Sequence, residues 1–473
     1  MDAVRSLAAG TIALEYEHLP ASAIAASKRV LLDIVGTAFA GVDAEGMPQL
    51  RGVICHAYAA PGTSVWARKE KLPAPESALL NSAMAHALDF DDTHDRACLH
   101  AGASVIPAAL SLAEEMGGIS GKEFLAAITV GIDSICRMGL ATTVPPNASG
   151  WMYTALYAYF GAAAAASRVL KLDLDRTVHA MGIAYAQAAG NTQCMPDGAI
   201  IKRIQPGFGA RAGVLAALLS KSGITGAQNV FEGNAGLYNI YLKGEFDKDV
   251  LLADLGTRFE VENLSFKPYP SCRHTHTAID AVLELLSRNH IIPEQIAEIR
   301  VGVNSEAYRN VCEPFEIKSK PRNVVDAQFS IPFCVSSALI NKQVFVENFS
   351  DGELRNPRVL GLAGKVRAFL DEELEKNFGR QVSPATIRIR MKDGTIFDAR
   401  QDYPIGSPEA PMSDTALMDK FRRCAQIASS AVSAQNAEKI IKTVQNLEVL
   451  SDVRELVELL VPSVSVAVKI NNA

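Results

Sequence analysis

The sequence predicts a mainly α-helical protein in which a smaller α+β lid domain is inserted into a large all-helical domain. Apolar residues recur at helical spacing through most of the first half, where β-branched runs are few before residue 260. A proline-rich joint, KPYPSC at residues 267–272, is followed by alternating helix and strand patterns, and helical spacing returns from residue 412. These observations predict a helical domain of residues 1–266 and 401–473 and a lid domain of residues 267–400.

The helices of the first domain follow from amphipathic spacing. A capping-box pattern, Ser120 with Glu123, marks the start of one of them. Another is rich in alanine, and such small side chains allow neighbouring helices to approach closely. The predicted helices are 21–40, 77–89, 124–140, 159–170 and 210–220.

The second half mixes both periodicities. Asp393 and Gly394 lie between two alternating runs, which is a strong signal for a β-hairpin. The lid domain is predicted to contain helices at 275–287 and around 335–339, and strands at 296–303, 385–391 and 395–399. Three helices are predicted to rejoin the first domain, at 414–428, 437–447 and 453–460.

Composition excludes several classes of function. Lysine and arginine number 46 against 52 aspartates and glutamates, so the chain lacks the basic excess that binding to nucleic acid requires. Its eight cysteines are scattered singly, which predicts neither a disulfide framework nor a cysteine-based zinc site. The longest apolar run, residues 155–166, is well short of the roughly 20 residues that cross a bilayer, and no export signal is visible. We therefore expect a cytoplasmic protein without a membrane or nucleic-acid partner.

The densest polar cluster is HALDFDDTH at residues 86–94, followed by His100. Three carboxylates and three imidazoles within this short stretch can support acid/base chemistry, because a carboxylate can orient a histidine that exchanges a proton with a substrate. The same residue types also serve as metal ligands, and a solvated helix end would show them as well. The residues alone leave these three interpretations open.

Two further clusters are basic. The joint KPYPSCRHTH at 267–276 combines cations with imidazoles just before a predicted helix, which would suit a carboxylate, although a rigid linker would also explain the prolines. His274 and His276 are two residues apart and would diverge on a helix. The loop KRIQPGFGAR at 202–211 predicts either an anion site or a solvated basic turn.

Taken in order, these motifs resemble those of the MmgE/PrpD family. The resemblance covers essentially the whole chain and rests on HALDFDDT, HAGASVIPAA, FGAAAAA, the basic loop with Lys202 and Gly207, KPYPSCRHTH and AQFSIP, which begin at residues 86, 100, 160, 202, 267 and 327. Activities of the family include dehydration of 2-methylcitrate, decarboxylation of cis-aconitate and epimerisation of iminodisuccinate. The resemblance implies a helical domain with an α+β lid, a homodimer, and chemistry on small di- or tricarboxylates without a metal or another cofactor.

The resemblance also assigns roles to residues. It places the catalytic histidine at His100, with Asp89 orienting groups nearby, and it implies that Thr93 offers a hydroxyl to the substrate. Lys202 and Lys267 fall on the family's lysines, where they would bind carboxylates and stabilise developing charge. At Met152 and Gln205 this chain departs from the histidine found in many members, and both residues are expected to contact the substrate.

Three more residues complete the expected site. Arg273 and His276 in the proline-rich joint are expected to help bind substrate carboxylates. Tyr153, next to Met152, is a candidate second acid. A methionine neither carries charge nor donates a proton, so any step that depends on a histidine at residue 152 would differ here.

The expected function is that of a cofactor-independent lyase that moves a proton next to a carboxylate. Dehydration, as in 2-methylcitrate dehydratase, and decarboxylation, as in cis-aconitate decarboxylase, are the two eliminations that the resemblance implies. One alternative is an epimerase or isomerase that reprotonates the opposite face, with Tyr153 as its second acid. Another is a non-catalytic protein that binds a polyacid in the retained pocket.

Overall fold

The computed structural model describes residues 2–58, 60–379, 384–428 and 431–462, and it is mainly helical with a smaller mixed α/β part, which confirms the predicted fold class. Residues 380–383 of the predicted lid domain lie outside the described residues. So do residues 429–430 and 463–473 of the predicted helical domain. The domain boundaries at 266/267 and 400/401 stay predictions, and so does the movement of the smaller part as a lid.

The first part is a layered bundle of helices with one very short two-stranded ribbon. Its helices are Ala3–Ala13 (α1), Ala21–Gly41 (α2), Met47–Tyr58 (α3), Ala74–His86 (α4), Gly102–Met116 (α5), Gly121–Ala141 (α6), Pro146–Ser149 (α7), Tyr153–Val169 (α8), Leu174–Tyr185 (α9), Gln205–Lys221 (α10), Leu237–Leu242 (α11) and Lys248–Leu252 (α12). Strands Thr63–Ser64 (β1) and Lys71–Leu72 (β2) pair antiparallel between α3 and α4.

The alanine-rich helix α8 lies at the centre of this bundle and contacts α6 and α10. Small residues permit the close approach, because a Cβ added to Gly213 of α10 would lie 2.4 Å from Cβ of Ala162. The predicted capping box before α6 is present, with Ser120 accepting from the Glu123 amide. Helix α6 is also long and apolar enough to cross a membrane, which the sequence prediction overlooked. Because 94% of its apolar window is buried, we interpret α6 as a core helix.

The second part surrounds a four-stranded sheet. Its helices are His276–Arg288 (α13), Ser305–Ala307 (α14), Phe315–Ser319 (α15), Val324–Gln328 (α16), Ile331–Asn341 (α17), Asp351–Leu354 (α18), Pro357–Ala363 (α19) and Glu372–Phe378 (α20). Its strands are Ile296–Val303 (β3), Val366–Leu370 (β4), Ala385–Met391 (β5) and Ile396–Gln401 (β6).

The sheet has the order β4-β3-β5-β6, with β3 and β4 parallel and the other neighbours antiparallel. Strands β5 and β6 form the hairpin predicted at Asp393 and Gly394, with Ala385 opposite Gln401. Inward side chains of β5 alternate with exposed ones, so one face packs against the apolar residues of α13 and the other meets solvent.

Three helices return to the first part: Asp414–Ile427 (α21), Ala434–Gln445 (α22) and Arg454–Leu459 (α23). Helix α21 packs on α2, where the rings of Phe39 and Phe421 lie 6.1 Å apart. The larger hydrophobic core accordingly combines residues between 3 and 266 with residues between 412 and 460. A separate core combines residues between 269 and 399. The two parts meet at Phe90 and Phe345, whose rings lie 5.4 Å apart next to the acidic cluster.

Candidate active site

A cavity of about 690 Å³ lies between the two parts and is lined by residues of both. Clefts between packed units commonly bind small molecules, because side chains from two frameworks can converge there. From the first part come His86, Asp89, Thr93, His100 and Lys202, among others. From the second part come Lys267, Cys272, Arg273, His274, Lys318 and Phe329, among others. The three polar clusters that the sequence singled out therefore meet at one cavity.

The acidic cluster follows directly after helix α4. The sequence pattern predicted that this helix continues to residue 89, but it ends at His86, because Asp89 adopts a left-handed backbone with φ of 53°. Aspartate tolerates this conformation better than most residues, although it is uncommon outside glycine. The turn directs residues 89–92 back into the protein, and Thr93 then pairs with Ser265 as an isolated β-bridge.

Asp89 is the centre of the charged cluster. Its Oδ1 lies 2.8 Å from Nζ of Lys202 and 3.4 Å from Nζ of Lys267, which also donates to the backbone carbonyl of Asp89 at 3.0 Å. All three side chains are almost fully buried. Burial acts to raise the pKa of Asp89, but the two ammonium groups outweigh it and hold the pKa well below its ordinary value. Asp89 therefore remains a carboxylate and holds both lysines at the cavity wall.

His86 lies in the same network but is held neutral. Its Nδ1 is 2.9 Å from Oδ2 of Asp91, and its Nε2 is 3.2 Å from Nζ of Lys202. Burial lowers the pKa of His86 to about 4, against the attraction of Asp91. A neutral ring that donates from Nδ1 to Asp91 and accepts at Nε2 from Lys202 satisfies both contacts. His86 therefore orients Lys202 and is poorly suited to exchange protons with a substrate.

His100 is the more exposed of the two imidazoles of this cluster that line the cavity. Its side chain is 14% exposed, its Nδ1 lies 3.1 Å from Oδ2 of Asp91, and its Nε2 lies 3.7 Å from Oδ1 of Asp89. The Nδ1 contact has the distance of an ion pair but not the direction of a hydrogen bond. A histidine that has a carboxylate beside Nδ1 and borders a cavity has the arrangement of a general acid or base.

The backbone around His100 is fixed by two neighbours. Its amide donates to Oγ1 of Thr154, and the carboxylate of Asp92 accepts from the amides of Ala101 and Gly102 at the start of α5. Burial, with repulsion from Asp91 and Asp33, raises the pKa of Asp92 to about 8. Asp92 is fully buried, is not part of the cavity lining, and serves to position the segment that carries His100.

Three other predicted residues line the cavity. Thr93 does so while donating from Oγ1 to the Leu99 carbonyl at 3.3 Å, and Met152 lies just before α8. Tyr153 also lines the cavity, but its hydroxyl donates to the carbonyl of Val144, and burial raises its pKa to about 12. Tyr153 is thus engaged with the protein backbone instead of being directed at a ligand.

The structure does not bring His276 and Gln205 to the cavity lining, contrary to the expectation that both contact substrate. His276 is fully buried, with Nε2 3.2 Å from the carbonyl of Ser271 and Nδ1 3.2 Å from the guanidinium of Arg273. Gln205 donates to the carbonyl of Asn191 and accepts from its amide. Both side chains brace loops that form the cavity wall.

Arg273 does line the cavity, but it already has a carboxylate partner. Its Nε lies 3.2 Å from Oδ1 of Asp95, and its terminal nitrogens donate to the carbonyls of Pro404 and Ile405. The expectation that Arg273 binds a substrate carboxylate therefore gains no support from the geometry. The arginine instead joins the proline-rich joint to the acidic cluster and to the segment that follows β6.

Three residues of the site were not assigned a role from the sequence: Phe329 and Lys318, which line the cavity, and the fully buried Asp91. Asp91 was part of the acidic cluster but had no role of its own, although it contacts both His86 and His100. Phe329 lies with its ring centroid 5.5 Å from Nζ of Lys202. Lys318 lines the cavity from α15. Asp91 could have been found from its place between the two histidines, whereas no local pattern marks Lys318.

The same cluster has the residue types of a metal site. One ligand atom from each of His86, Asp89, Asp91 and His100 lies within 4.8 Å of the others. However, two ammonium groups occupy Oδ1 of Asp89, and a cation placed there would be repelled by both. The arrangement therefore fits carboxylate binding and proton transfer better than metal ligation.

Comparison with known proteins gives the same overall picture. Two family models match the chain, the MmgE/PrpD N-terminal domain over residues 5–249 and the MmgE/PrpD C-terminal domain over residues 269–448. A cis-aconitate decarboxylase of Aspergillus terreus is 28% identical over 466 residues, which covers 94% of this chain and 93% of that protein. The cis-aconitate decarboxylase of Homo sapiens is 28% identical over 471 residues, covering 96% of this chain and 94% of its own length. The mitochondrial 2-methylcitrate dehydratase of Yarrowia lipolytica is 24% identical over 272 residues, covering 55% and 51%.

Proposed function

Because the chain belongs to the MmgE/PrpD family, we propose that it is a lyase that acts on a small di- or tricarboxylate by proton transfer next to a carboxylate. The observation that carries this proposal is the contact of Lys202, Lys267 and His100 with one carboxylate oxygen, Oδ1 of Asp89, at 2.8, 3.4 and 3.7 Å. Two cations and one proton-transfer group thereby converge on the wall of a single cavity.

In the proposed reaction, a substrate carboxylate lies against Lys202 and Lys267, and the carbon beside it lies within reach of His100. His100 removes a proton from that carbon, and the electron pair of the broken C–H bond spreads onto the carboxylate. The two ammonium groups stabilise this developing charge, which is strongest at the transition state. The electron pair then forms a C=C bond as the C–O bond to a hydroxyl on the next carbon breaks, and the leaving hydroxide takes up the proton held by the His100 imidazolium to become water.

Asp91 and Asp89 have supporting roles in this scheme. Asp91 lies beside Nδ1 of His100 and stabilises the imidazolium that forms when the ring accepts the proton. Asp89 pairs with both ammonium groups and orients them in a buried site, where an unpaired ammonium would be costly. Thr93 offers a hydroxyl at the cavity wall for a hydrogen bond to the substrate.

Dehydration is our first candidate and decarboxylation the second. Met152, which can neither donate a proton nor carry charge, lines the cavity where the sequence resemblance places a histidine in many relatives. This departure favours an elimination that relies on His100 alone. The decarboxylase relatives match this chain over nearly its whole length, and that match favours loss of carbon dioxide. Epimerisation would need a second acid, and the bond from Tyr153 to Val144 argues against that residue.

The decisive experiment is incubation of the purified protein with a panel of hydroxylated and unsaturated di- and tricarboxylates, followed by mass spectrometry. Loss of water or carbon dioxide from one compound supports the lyase proposal and identifies the reaction. Exchange of a carbon-bound proton for deuterium without mass loss would favour the isomerase. Tight binding of a polycarboxylate with no chemical change, at enzyme concentrations equal to those of the compound, would favour a binding protein and contradict the proposal.

Three further expectations remain proposals. We propose a homodimer, which sedimentation velocity would test directly, with a monomer at micromolar concentration as the contrary result. We also propose that residues 267–400 move as a lid over the cavity, because separate hydrophobic cores lie on its two sides. The third is a cytoplasmic location, which cell fractionation would test.

A further inference from the structure

Six cationic side chains line the cavity, and they differ in whether a carboxylate lies close to the charged group. They are Lys202, Lys267, Arg273, Arg309, Lys318 and Arg322. Among the described residues, five of the six have a carboxylate within 4 Å. Asp89 serves both active-site lysines, and each arginine has its own acidic partner. Lys318 is the exception, since no carboxylate of the described chain lies within 4 Å of its ammonium group.

The side chain of Lys318 is largely buried, although no carboxylate of the described residues pairs with its charge. It lies on the short helix α15 and is only 9% exposed. Its Nζ donates to the backbone carbonyl of Asn310 at 3.0 Å, the one hydrogen-bond partner that the described residues provide for its three N–H donors. Asp326 is within electrostatic range, but Arg322 holds that carboxylate at 2.7 Å. Burial correspondingly lowers the pKa of Lys318.

Burial of an isolated ammonium has a large free-energy cost, because the group loses its hydration without gaining a counter-ion. A protein keeps such a group where something else supplies the missing charge. The ammonium lies on a cavity wall, so a bound anion can reach it and would remain shielded from bulk water. The arginines beside it, in contrast, are already neutralised by Glu306 and Asp326.

The charge of the reactive cluster adds a second, independent argument. Lys202 and Lys267 contribute two positive charges, while Asp89 and Asp91 contribute two negative charges. These charges sum to zero, so the cluster can orient one substrate carboxylate through hydrogen bonds but offers no net positive charge to a second or third. Lys318 and Cys272 line the same cavity as Lys202 and Lys267. A substrate in this cavity can therefore contact both the reactive cluster and the unpaired ammonium.

We infer that Lys318 binds a second carboxylate of the substrate, one remote from the reacting carbon, and thereby selects polycarboxylates over substrates with fewer carboxylates. This inference rests on the proposed function in assuming a carboxylate ligand, and it deepens that function by assigning the second anion site. The substrate spans from the Lys202 and Lys267 pair to α15, with its reacting carbon at His100.

The test compares Lys318→Met with Lys318→Arg and uses Lys320→Met as a matched control, because Lys320 lies two residues away on the same segment and is exposed. Isothermal titration measures binding of tricarballylate, a saturated tricarboxylate, and of butyrate, a monocarboxylate that lacks the remote group. Loss of a charge-assisted hydrogen bond predicts that Lys318→Met weakens tricarballylate binding by about 10- to 100-fold and butyrate binding much less. Lys318→Arg should retain most of the preference, and Lys320→Met all of it.

Thermal unfolding without ligand separates this role from a structural one. A lysine kept for a ligand leaves Lys318→Met as stable as the wild type or more stable, since an unpaired buried charge is removed. Lower stability, together with equal loss of both affinities, would mean that Lys318 only holds the Asn310 segment and would overturn the inference. Unchanged tricarballylate affinity in Lys318→Met would also overturn it.

These results are distinguishable from failure of the proposed function. If the wild type binds tricarballylate through Lys318 but transforms no compound of the panel, the result contradicts the lyase proposal and supports the second anion site. If the wild type eliminates water or carbon dioxide but Lys318→Met has the same selectivity for polycarboxylates, the result supports the lyase proposal and contradicts the inference. Failure of the wild type to bind tricarballylate would overturn the inference alone, because the panel tests the lyase proposal independently.

Discussion

The ammonium group of Lys202 lies 2.8 Å from Oδ1 of Asp89, although 113 residues separate them in the chain. This contact joins the loop before α10 to the turn after α4. Lys267 reaches the same oxygen from the beginning of the second part. Since one carboxylate holds both lysines, the geometry of the proposed carboxylate receptor depends on Asp89 and on the turn that its left-handed backbone forms.

Substitution of His100 should remove the proton-transfer step. His100→Ala is expected to lower kcat by about 10²- to 10⁴-fold, the usual contribution of a positioned acid or base, with a small change in KM. Steady-state kinetics on the compound identified by the panel measures this effect. The exposed His290 provides a matched control, and His290→Ala should keep wild-type kinetics. Full activity of His100→Ala would exclude the proposed role.

Substitution of Lys267 should affect both binding and catalysis. Lys267→Met removes an ammonium that contacts Asp89 at 3.4 Å, so we expect a lower kcat together with a higher KM, because a carboxylate receptor acts in the ground state and in the transition state. Lys267→Arg keeps the charge and should recover part of the activity. The exposed Lys439 serves as control in Lys439→Met. A change in kcat alone would argue that Lys267 does not bind the substrate.

Asp92 should make the stability of the wild-type protein depend on pH. Its pKa is raised to about 8 from 3.8, so the folded state keeps a proton that the unfolded chain releases, and this contribution to stability is lost as pH rises from about 4 to about 8. The free energy of unfolding of Asp92→Asn minus that of the wild type should therefore increase as pH rises, by up to about 1.4 kcal/mol for each pH unit in this range. Above this range the difference should stay constant.

Urea unfolding at a series of pH values measures the difference. The slope against pH is the predicted quantity, because loss of one amide contact at Ala101 shifts the free energy of unfolding equally at every pH. The exposed Asp351 is the control, and Asp351→Asn should follow the wild-type pH dependence. Parallel curves for Asp92→Asn and wild type would show that Asp92 is ionised in the folded protein.

Gly102 is required by close approach at the start of α5. A Cβ at this position would lie 2.5 Å from Oδ1 of Asp92 and 2.7 Å from side-chain carbons of Ile34 and Val30. Gly102→Ala should therefore reduce the free energy of unfolding by about 1–3 kcal/mol and also lower kcat, since His100 lies two residues away. The helical Gly52, which has open space around it, should give the opposite result, with Gly52→Ala stabilising by about 0.5–1 kcal/mol. Equal effects from both would contradict this account.

Met152 tests which feature of the cavity selects the reaction. Met152→His introduces a proton donor on the cavity wall just before α8, and we expect a change in the polycarboxylate processed or in the ratio of dehydration to decarboxylation. Mass spectrometry of products from the panel measures that ratio. Met195 lines the same cavity, so Met195→His shows whether any added histidine suffices. An unchanged product distribution in Met152→His would indicate that residue 152 does not determine the reaction.

Much of the fold could be predicted because its signals are local. Strand β3 was predicted with the bounds found in the structure, and so was β5, since alternation along a strand is visible within a few residues. Helix α5 was not predicted. It contains Pro107, which lacks the amide that would bond to the carbonyl of Ala103, so its pattern is less typical of a helix.

The residue types available for chemistry can be read directly from the sequence: an acidic and imidazole-rich cluster, two basic segments and a methionine beside a tyrosine. Tertiary structure alone decided which of these side chains are free to act. His276 and Arg273 looked like ligands for an anion, yet each already has partners. Lys318, which belongs to no motif, has an ammonium without a carboxylate within 4 Å among the described residues. The physical reason is that partnership and desolvation depend on distances between segments far apart in the chain, and residue order does not encode these locally.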